Sequence, residues 1–391
     1  MNERKEMLSK NICSYIGLAF MLFYYQLTDT VLYFPFIDYC LVLALLFFSI
    51  QYFIESKYRV KTLCIFLFFI VVLAFQYRRS HDSRLLVYII ALLGLKNVTV
   101  KQIMNFILYE KFILMIIIIG VASLGIGFVP RTGEYTLGFT HGNLFMINTI
   151  EMFLLYICLN WRKMGIYSNI IVACLIFLTF LFSESRTGLV LFSLSFVLYL
   201  HIKYGKIRNL RYLNIVTVII PSVLFLISIS IPYLMSIGWF DQYPTLNEYI
   251  NKFDLMLTSR LTLSAIRLKH TKFHMLFSST NTAGMKLYRY TVVDSGYVQL
   301  ILVFGILGSV LFICYYTHLI RKLSQMDFLG KEKYIYLLSI LILSLNAFTE
   351  NSLCSLKYNF TLLFILLFNE KKSLQSIYNM LKKFKIRGNH V

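Results

Sequence analysis

Charge is what this chain has least of. Asp, Glu, Lys and Arg make up 14% of its 391 residues against 58% hydrophobic, and the mean hydropathy is +0.70. That balance excludes an ordinary soluble domain and puts the chain in the polytopic membrane class. Proline is scarce, at five residues, and no Pro-rich or Ser-rich linker or internal repeat breaks the sequence. Residues 1–391 therefore read as one integral membrane domain. The seven cysteines are odd in number and show no CxxC spacing, which argues against a disulfide framework or a zinc site. Between the apolar runs there is no DxD-like or His-rich cluster and no Arg array interleaved with stacking aromatics. Neither a metal, a cofactor nor a nucleic-acid partner is expected.

What is abundant is apolar segment. A helix needs roughly 17 to 25 mainly apolar residues to cross a bilayer, because lipid offers no partner for exposed backbone. The runs predict an all-α protein of about 12 transmembrane helices, at 11–27, 37–54, 62–76, 83–95, 105–126, 144–160, 167–182, 187–202, 213–235, 296–317, 334–348 and 353–369. The fourth is short, and the last must let Lys357 snorkel to the interface. The N-terminal run lacks a small-residue cleavage site and reads as an uncleaved signal-anchor.

Lys and Arg set the orientation. With both termini cytoplasmic, 24 basic residues lie inside, 13 lie outside, and Lys111 falls within a span. Omitting the fourth span reverses the bias to about 16 against 21 and contradicts the positive-inside rule. The net charge of +20 thus belongs mainly to short cytoplasmic loops and a basic tail at 370–391, beside anionic lipid headgroups.

The outer loops hold the information. The largest, 236–295 between spans nine and ten, carries Arg260, Ser264, Arg267 and His274 at helical spacing with His270 beside them, which predicts an amphipathic helix. Two readings stand for it: an interfacial helix with solvated charges, or an anion-facing wall over a membrane cavity. Arg186, in Ser183-Glu184-Ser185-Arg186-Thr187-Gly188, joins two spans with no room for a true loop. Its guanidinium needs a partner, either Glu184 or the oxygens of a lipid-linked pyrophosphate, which suit the planar fork. Eight of the 13 outer basic residues are Arg (Arg78, Arg79, Arg84, Arg131, Arg186, Arg260, Arg267 and Arg289). His141 before the sixth span is a helix cap, an interfacial group or a site residue. His270 or His274 is a candidate general base. Asp294, at the mouth of the tenth span, orients a hydroxyl, pairs with an Arg or caps the helix.

Four motifs in order resemble the O-antigen polymerase and O-antigen ligase family of integral membrane glycosyltransferases. They are Thr140-His141-Gly142-Asn143, Ser183 to Gly188, Ser259-Arg260-Leu261-Thr262, and Asp294-Ser295-Gly296-Tyr297 running on to Gly308. The resemblance covers roughly residues 75 to 369. It implies metal-independent transfer at the outer face of the bacterial cytoplasmic membrane, from an undecaprenyl-pyrophosphate-linked oligosaccharide to a sugar hydroxyl. Arg186 and Arg260 fall on the family's pyrophosphate-binding positions, with Arg267 nearby and Arg84 and Arg289 as further candidates. The family's loop His corresponds to His270 or His274, and Gly142 stands where the family usually has proline. A flippase and a chain-length regulator are the implied protein partners. Polymerase is favoured over ligase because heavy Ile, Phe, Tyr and Lys usage fits an A+T-rich genome, and many such bacteria make capsule or exopolysaccharide without a lipid A core. A polysaccharide flippase or transporter is the rival reading, weakened by the lack of half-to-half similarity.

Overall fold

The computed structural model describes residues 11–55, 60–80, 82–125, 137–270, 275–276 and 294–368. His274, Arg131, Arg289 and the basic tail lie outside them. Among the described residues helix is the only extended secondary structure, and one isolated bridge, Thr30 to Phe139, is the sole strand-like pairing. In chain order the helices are α1 (Ile12–Leu27), α2 (Ile37–Glu55), α3 (Val60–Ser80), α4 (Arg84–Gly94), α5 (Val100–Ser123), α6 (Gly142–Asn160), α7 (Ile166–Ser183), α8 (Arg186–Tyr204), α9 (Arg211–Ser236), α10 (Pro244–Met256), α11 (Arg260–His270), α12 (Gly296–Ser324) and α13 (Glu332–Thr349).

Seven of these, α2, α5, α6, α7, α8, α9 and α12, are long and apolar enough to cross a membrane. Five of the twelve expected spans, the first, third, fourth, eleventh and twelfth, are not among these seven, and two of them depart most from the sequence reading. The fourth is α4, an apolar helix of 11 residues, about 16 Å long at ~1.5 Å per residue against ~30 Å of hydrocarbon. The twelfth is not an α-helix over most of its length. Turns run from Asn351 to Tyr358, and a 3-10 helix covers Phe360–Leu366. This irregular stretch is nonetheless buried, the condition under which non-helical backbone is tolerated at membrane depth.

The bundle is layered around α13, which has 16 of its 18 residues buried and so packs against protein rather than lipid. It contacts α8, α9, α12 and α6. Helices α5, α7 and α9 bury only 28% of their apolar windows, leaving Ile, Leu and Phe faces for lipid. Helix α12 is broken at Gly305, whose φ of 74° and ψ of −177° favour glycine. The amide of Leu307, just past the break, donates to the Met275 carbonyl at 2.9 Å. The large loop thereby reaches back to satisfy a donor that the break releases.

Lysines hold the irregular segment. Lys357 does not snorkel: it is buried, its ammonium pairs with Asp29 and donates to Thr28 Oγ1 at 2.8 Å, and Tyr358 donates to Asp29 Oδ2 at 2.7 Å. Deeper, Lys111 of α5 pairs with Glu151 of α6 at 2.6 Å and donates to Asn148 Oδ1 at 3.1 Å and to the Lys357 carbonyl at 3.0 Å. Glu151 accepts in turn from the Phe360 amide at 3.3 Å. Backbone groups that a regular helix would pair internally are met by side chains more than 200 residues away in sequence.

Candidate functional site

The sequence motifs meet at one end of the bundle. Helix α7 ends at Ser183, Glu184 caps it with a left-handed φ of 51°, and α8 begins at Arg186 behind its N-cap Ser185. Ser183 Oγ accepts from the Ser185 amide at 3.3 Å, and Ser185 Oγ accepts from the Gly188 amide at 3.2 Å. The two serines cap the reversal and put Arg186 in the first turn of α8. Arg186 and Glu184 are both exposed and form no ion pair with each other, so the intramolecular partner considered for Arg186 is not used.

The start of α6 rests on this turn. A Cβ on Gly142 would stand 2.2 Å from the Ser183 carbonyl oxygen, and one on Gly188 would stand 2.1 Å from Met146 Cγ. The His141-Gly142-Asn143 and Ser183-to-Gly188 motifs are therefore in contact. Gly142→Ala is expected to lower stability by about 1–3 kcal/mol, the usual cost of overpacking, because the obstructing atom is backbone. Gly165→Ala, with nothing within 4 Å of the added carbon, is the control. Thermal denaturation in detergent checks the pair, and equal melting temperatures would refute the close approach.

Arg260 reaches the same end through a sharp bend. Thr258 and Ser259 both adopt left-handed φ, at 56° and 60°, costing of order 1–3 kcal/mol each. Asp254, buried at the end of α10, offsets this by capping α11. It accepts from the Leu261 and Thr262 amides at 2.7 and 3.2 Å and from Thr262 Oγ1 at 2.5 Å. A carboxylate at a helix N-terminus is favoured by the helix dipole as well.

Within the described residues helix α11 runs from Arg260 to His270, and the expected continuation to His274 lies outside them. Its polar face does not lie in solvent: Arg260, Ser264 and Arg267 are buried along with Leu261 and Leu268. Leu268 packs on Val298 and Leu302 of α12. Burial draws the Arg267 guanidinium below its usual range. His270 is exposed, ten residues and so about 15 Å along the axis from Arg260.

The Arg260 guanidinium is held at three points. One terminal nitrogen donates to the Thr349 carbonyl, the other meets Glu350 Oε1 at 2.8 Å, and Nε lies 3.7 Å from Asp294 Oδ2. The same Glu350 oxygen accepts from Asn143 Nδ2 at 3.0 Å, and the Glu350 carbonyl accepts from the Gly296 amide at 3.1 Å. One residue on, Asn351 Oδ1 accepts from Arg84 Nη1 at 2.6 Å, while Asp82 grips the rest of that guanidinium. Arg84, a sequence candidate for pyrophosphate, thus has a partner on each of its three nitrogens.

Asp294 is not a cap. Ser295 holds the N-cap position of α12 and makes no side-chain capping bond. Burial raises the Asp294 carboxyl, while Arg260 and His141 pull it down. Glu350 is likewise raised by burial and lowered chiefly by Arg260. His141, at the N-cap of α6, makes no side-chain capping bond either; its ring is close enough to act on Asp294.

The structure therefore gathers Arg260, Asp294, His141 and Arg84 around the Thr349–Asn351 turn, with the Arg186 turn against Gly142. It does not bring His270 to the acids. The sequence reading missed Glu350, Asp254 and the Lys111–Glu151 pairing. A signal for Glu350 was available: an acid just past a helix C-terminus opposes the dipole there and needs a cation. Among the described residues, no three His, Cys, Asp or Glu side chains converge as a metal cage. No protein-family model, curated protein or solved structure matches this chain.

Proposed function

We propose that the protein is an oligosaccharide repeat-unit polymerase. It joins undecaprenyl-pyrophosphate-linked glycan units at the outer face of the cytoplasmic membrane, with both termini inside and the 236–295 loop outside. The observation that carries this reading is the meeting of four motifs, spread from Thr140 to Gly296, at one end of the bundle through specific bonds and close contacts. Ordered motifs of a family are worth little singly, and their assembly around one arginine supports a shared site.

The chemistry follows from the side chains. An acceptor hydroxyl oxygen attacks the anomeric carbon of the donor, and the bond from that carbon to the pyrophosphate oxygen breaks. The leaving pyrophosphate takes the electron pair and the base takes the hydroxyl proton. Arg260 offers a fixed positive charge to the leaving group. Arg186 offers a second, exposed cation on the first turn of α8, where backbone amides also favour an anion. Asp294 is the base best placed beside Arg260, and burial lifts its proton affinity toward that task. The chain holds the reacting groups in line and stabilises charge, which suffices where the leaving group is already good.

The test is purified protein in detergent with undecaprenyl-pyrophosphate-linked repeat units and no ATP. Lengthening glycans with release of undecaprenyl pyrophosphate are expected. Folded protein that yields no polymer, yet moves the lipid-linked units across a liposome bilayer, overturns the enzymatic reading in favour of transport.

A further inference from the structure

We propose that Glu350 is the positioning residue of this site, setting which edge of the Arg260 guanidinium is offered to substrate. The inference rests on the polymerase reading. Glu350 bonds directly to three of the four motifs: to Arg260 and Asn143 through one carboxylate oxygen, and to Gly296 through its carbonyl. Its own amide closes the end of α13 on the Asn346 carbonyl at 2.8 Å.

The geometry assigns it a directional role. An arginine carries five N–H donors in a rigid plane. The Thr349 carbonyl and Glu350 Oε1 take one from each terminal nitrogen. Nε lies 3.7 Å from Asp294 Oδ2, and the Asp294 side chain is 35% exposed against 10% for Arg260, so the Nε–H is the donor set beside the more accessible group. Arg260 itself is delivered by the strained Thr258–Ser259 bend and capped by Asp254, which fix its backbone but not the rotation of its guanidinium. That rotation is what Glu350 controls. Asn143 bonds to the same carboxylate oxygen and restrains it from following the guanidinium if the latter moves toward a ligand.

A positioning role and a charge-balancing role predict opposite orders for two conservative changes. Glu350→Gln keeps the length and an acceptor oxygen but removes the charge. Glu350→Asp keeps the charge but withdraws it by one methylene. If Glu350 positions, Gln stays within about threefold of the wild type in kcat/KM while Asp loses about tenfold or more, read as free-energy differences. The reverse order, or two equal losses, overturns the proposal.

A double-mutant cycle gives the second readout, because residues acting through one another are non-additive. The affinity of each variant for undecaprenyl pyrophosphate is measured in detergent. Glu350→Ala is expected to weaken binding about tenfold in the wild-type background and by less than about twofold in Arg260→Ala. Losses that multiply in the double variant overturn the proposal. Should Glu350→Ala fail to fold, the Gln and Asp pair decides alone. Arg260→Ala with normal polymerisation would remove the polymerase site itself. Arg260→Ala dead beside fully active Glu350→Ala and Glu350→Asp would remove only the positioning role.

Discussion

Replacing Arg260 with Ala is expected to cut polymer formation by about 100-fold or more, the scale seen when a preorganised donor to a developing anion is deleted. The effect is large because, among the described residues, Arg260 is the one arginine paired with both Glu350 and Asp294. Arg84 is engaged by Asp82 and Asn351, and Arg267 lies two helical turns away on α11. Folding is expected to survive. Glu350 keeps the Asn143 bond, and Asp294 is 35% exposed and can be hydrated. Arg260→Lys restores the charge but not the planar fork, so activity between the two is expected. The measurement is the chain-length ladder of the glycan product, with size-exclusion profiles in detergent confirming folded protein. Unchanged ladders in Arg260→Ala and in Arg186→Ala would end the catalytic reading.

Lys111→Met is expected to be the most damaging single change to the fold. It leaves Glu151 buried without its cation and removes the donor to Asn148 and to the Lys357 carbonyl. Breaking one partner of a buried pair costs about 3–5 kcal/mol. For a membrane protein this reads out as lost yield of monodisperse protein and a lower melting temperature in detergent. The double variant Lys111→Met with Glu151→Gln should recover part of the loss. A glutamine is neutral, still accepts from the Phe360 amide, and can donate to Asn148 or to the Lys357 carbonyl. A single variant as stable as the wild type would mean that the pair contributes nothing net.

Hydropathy made the long apolar helices α5 to α9 legible, since lipid leaves little choice to an 18-residue run of Ile, Leu and Phe. The ends of α7 and α8 were legible too, because Ser183-Glu184-Ser185-Arg186 is too short for anything but a tight reversal. The twelfth span was not. Its composition is apolar enough, but Asn351, Ser352, Ser355, Lys357 and Asn359 break the helix, and the partners that make this tolerable, Lys111, Glu151 and Asp29, are invisible to any local window. The polar face of α11 was found, yet its direction was undecidable from periodicity. Spacing tells which residues share a face, whereas the burial of Arg260 depends on acids at 294 and 350. Within the site, Arg260, Asp294 and His141 were readable as chemistry-bearing residues in a plausible order. Their common anchor at Glu350 was signalled only by an acid just past a helix C-terminus, which calls for a cation without saying that Arg260, 90 residues earlier, is that cation.

The pairing of Lys357 with Asp29 also dictates a schedule. The two residues are 328 positions apart, so at ~5–20 residues per second of synthesis about 15–65 s separate their emergence from the ribosome. Throughout that interval the first helices wait with the Asp29 carboxylate unmatched, and the Lys111–Glu151 pair waits for the Phe360 amide and the Lys357 carbonyl. The stretch around Lys357 and Phe360, translated long after the helices it pins, is thus the piece that locks the bundle. Nascent chains stalled before residue 357 should remain protease-sensitive intermediates, and emergence of that stretch should convert them together.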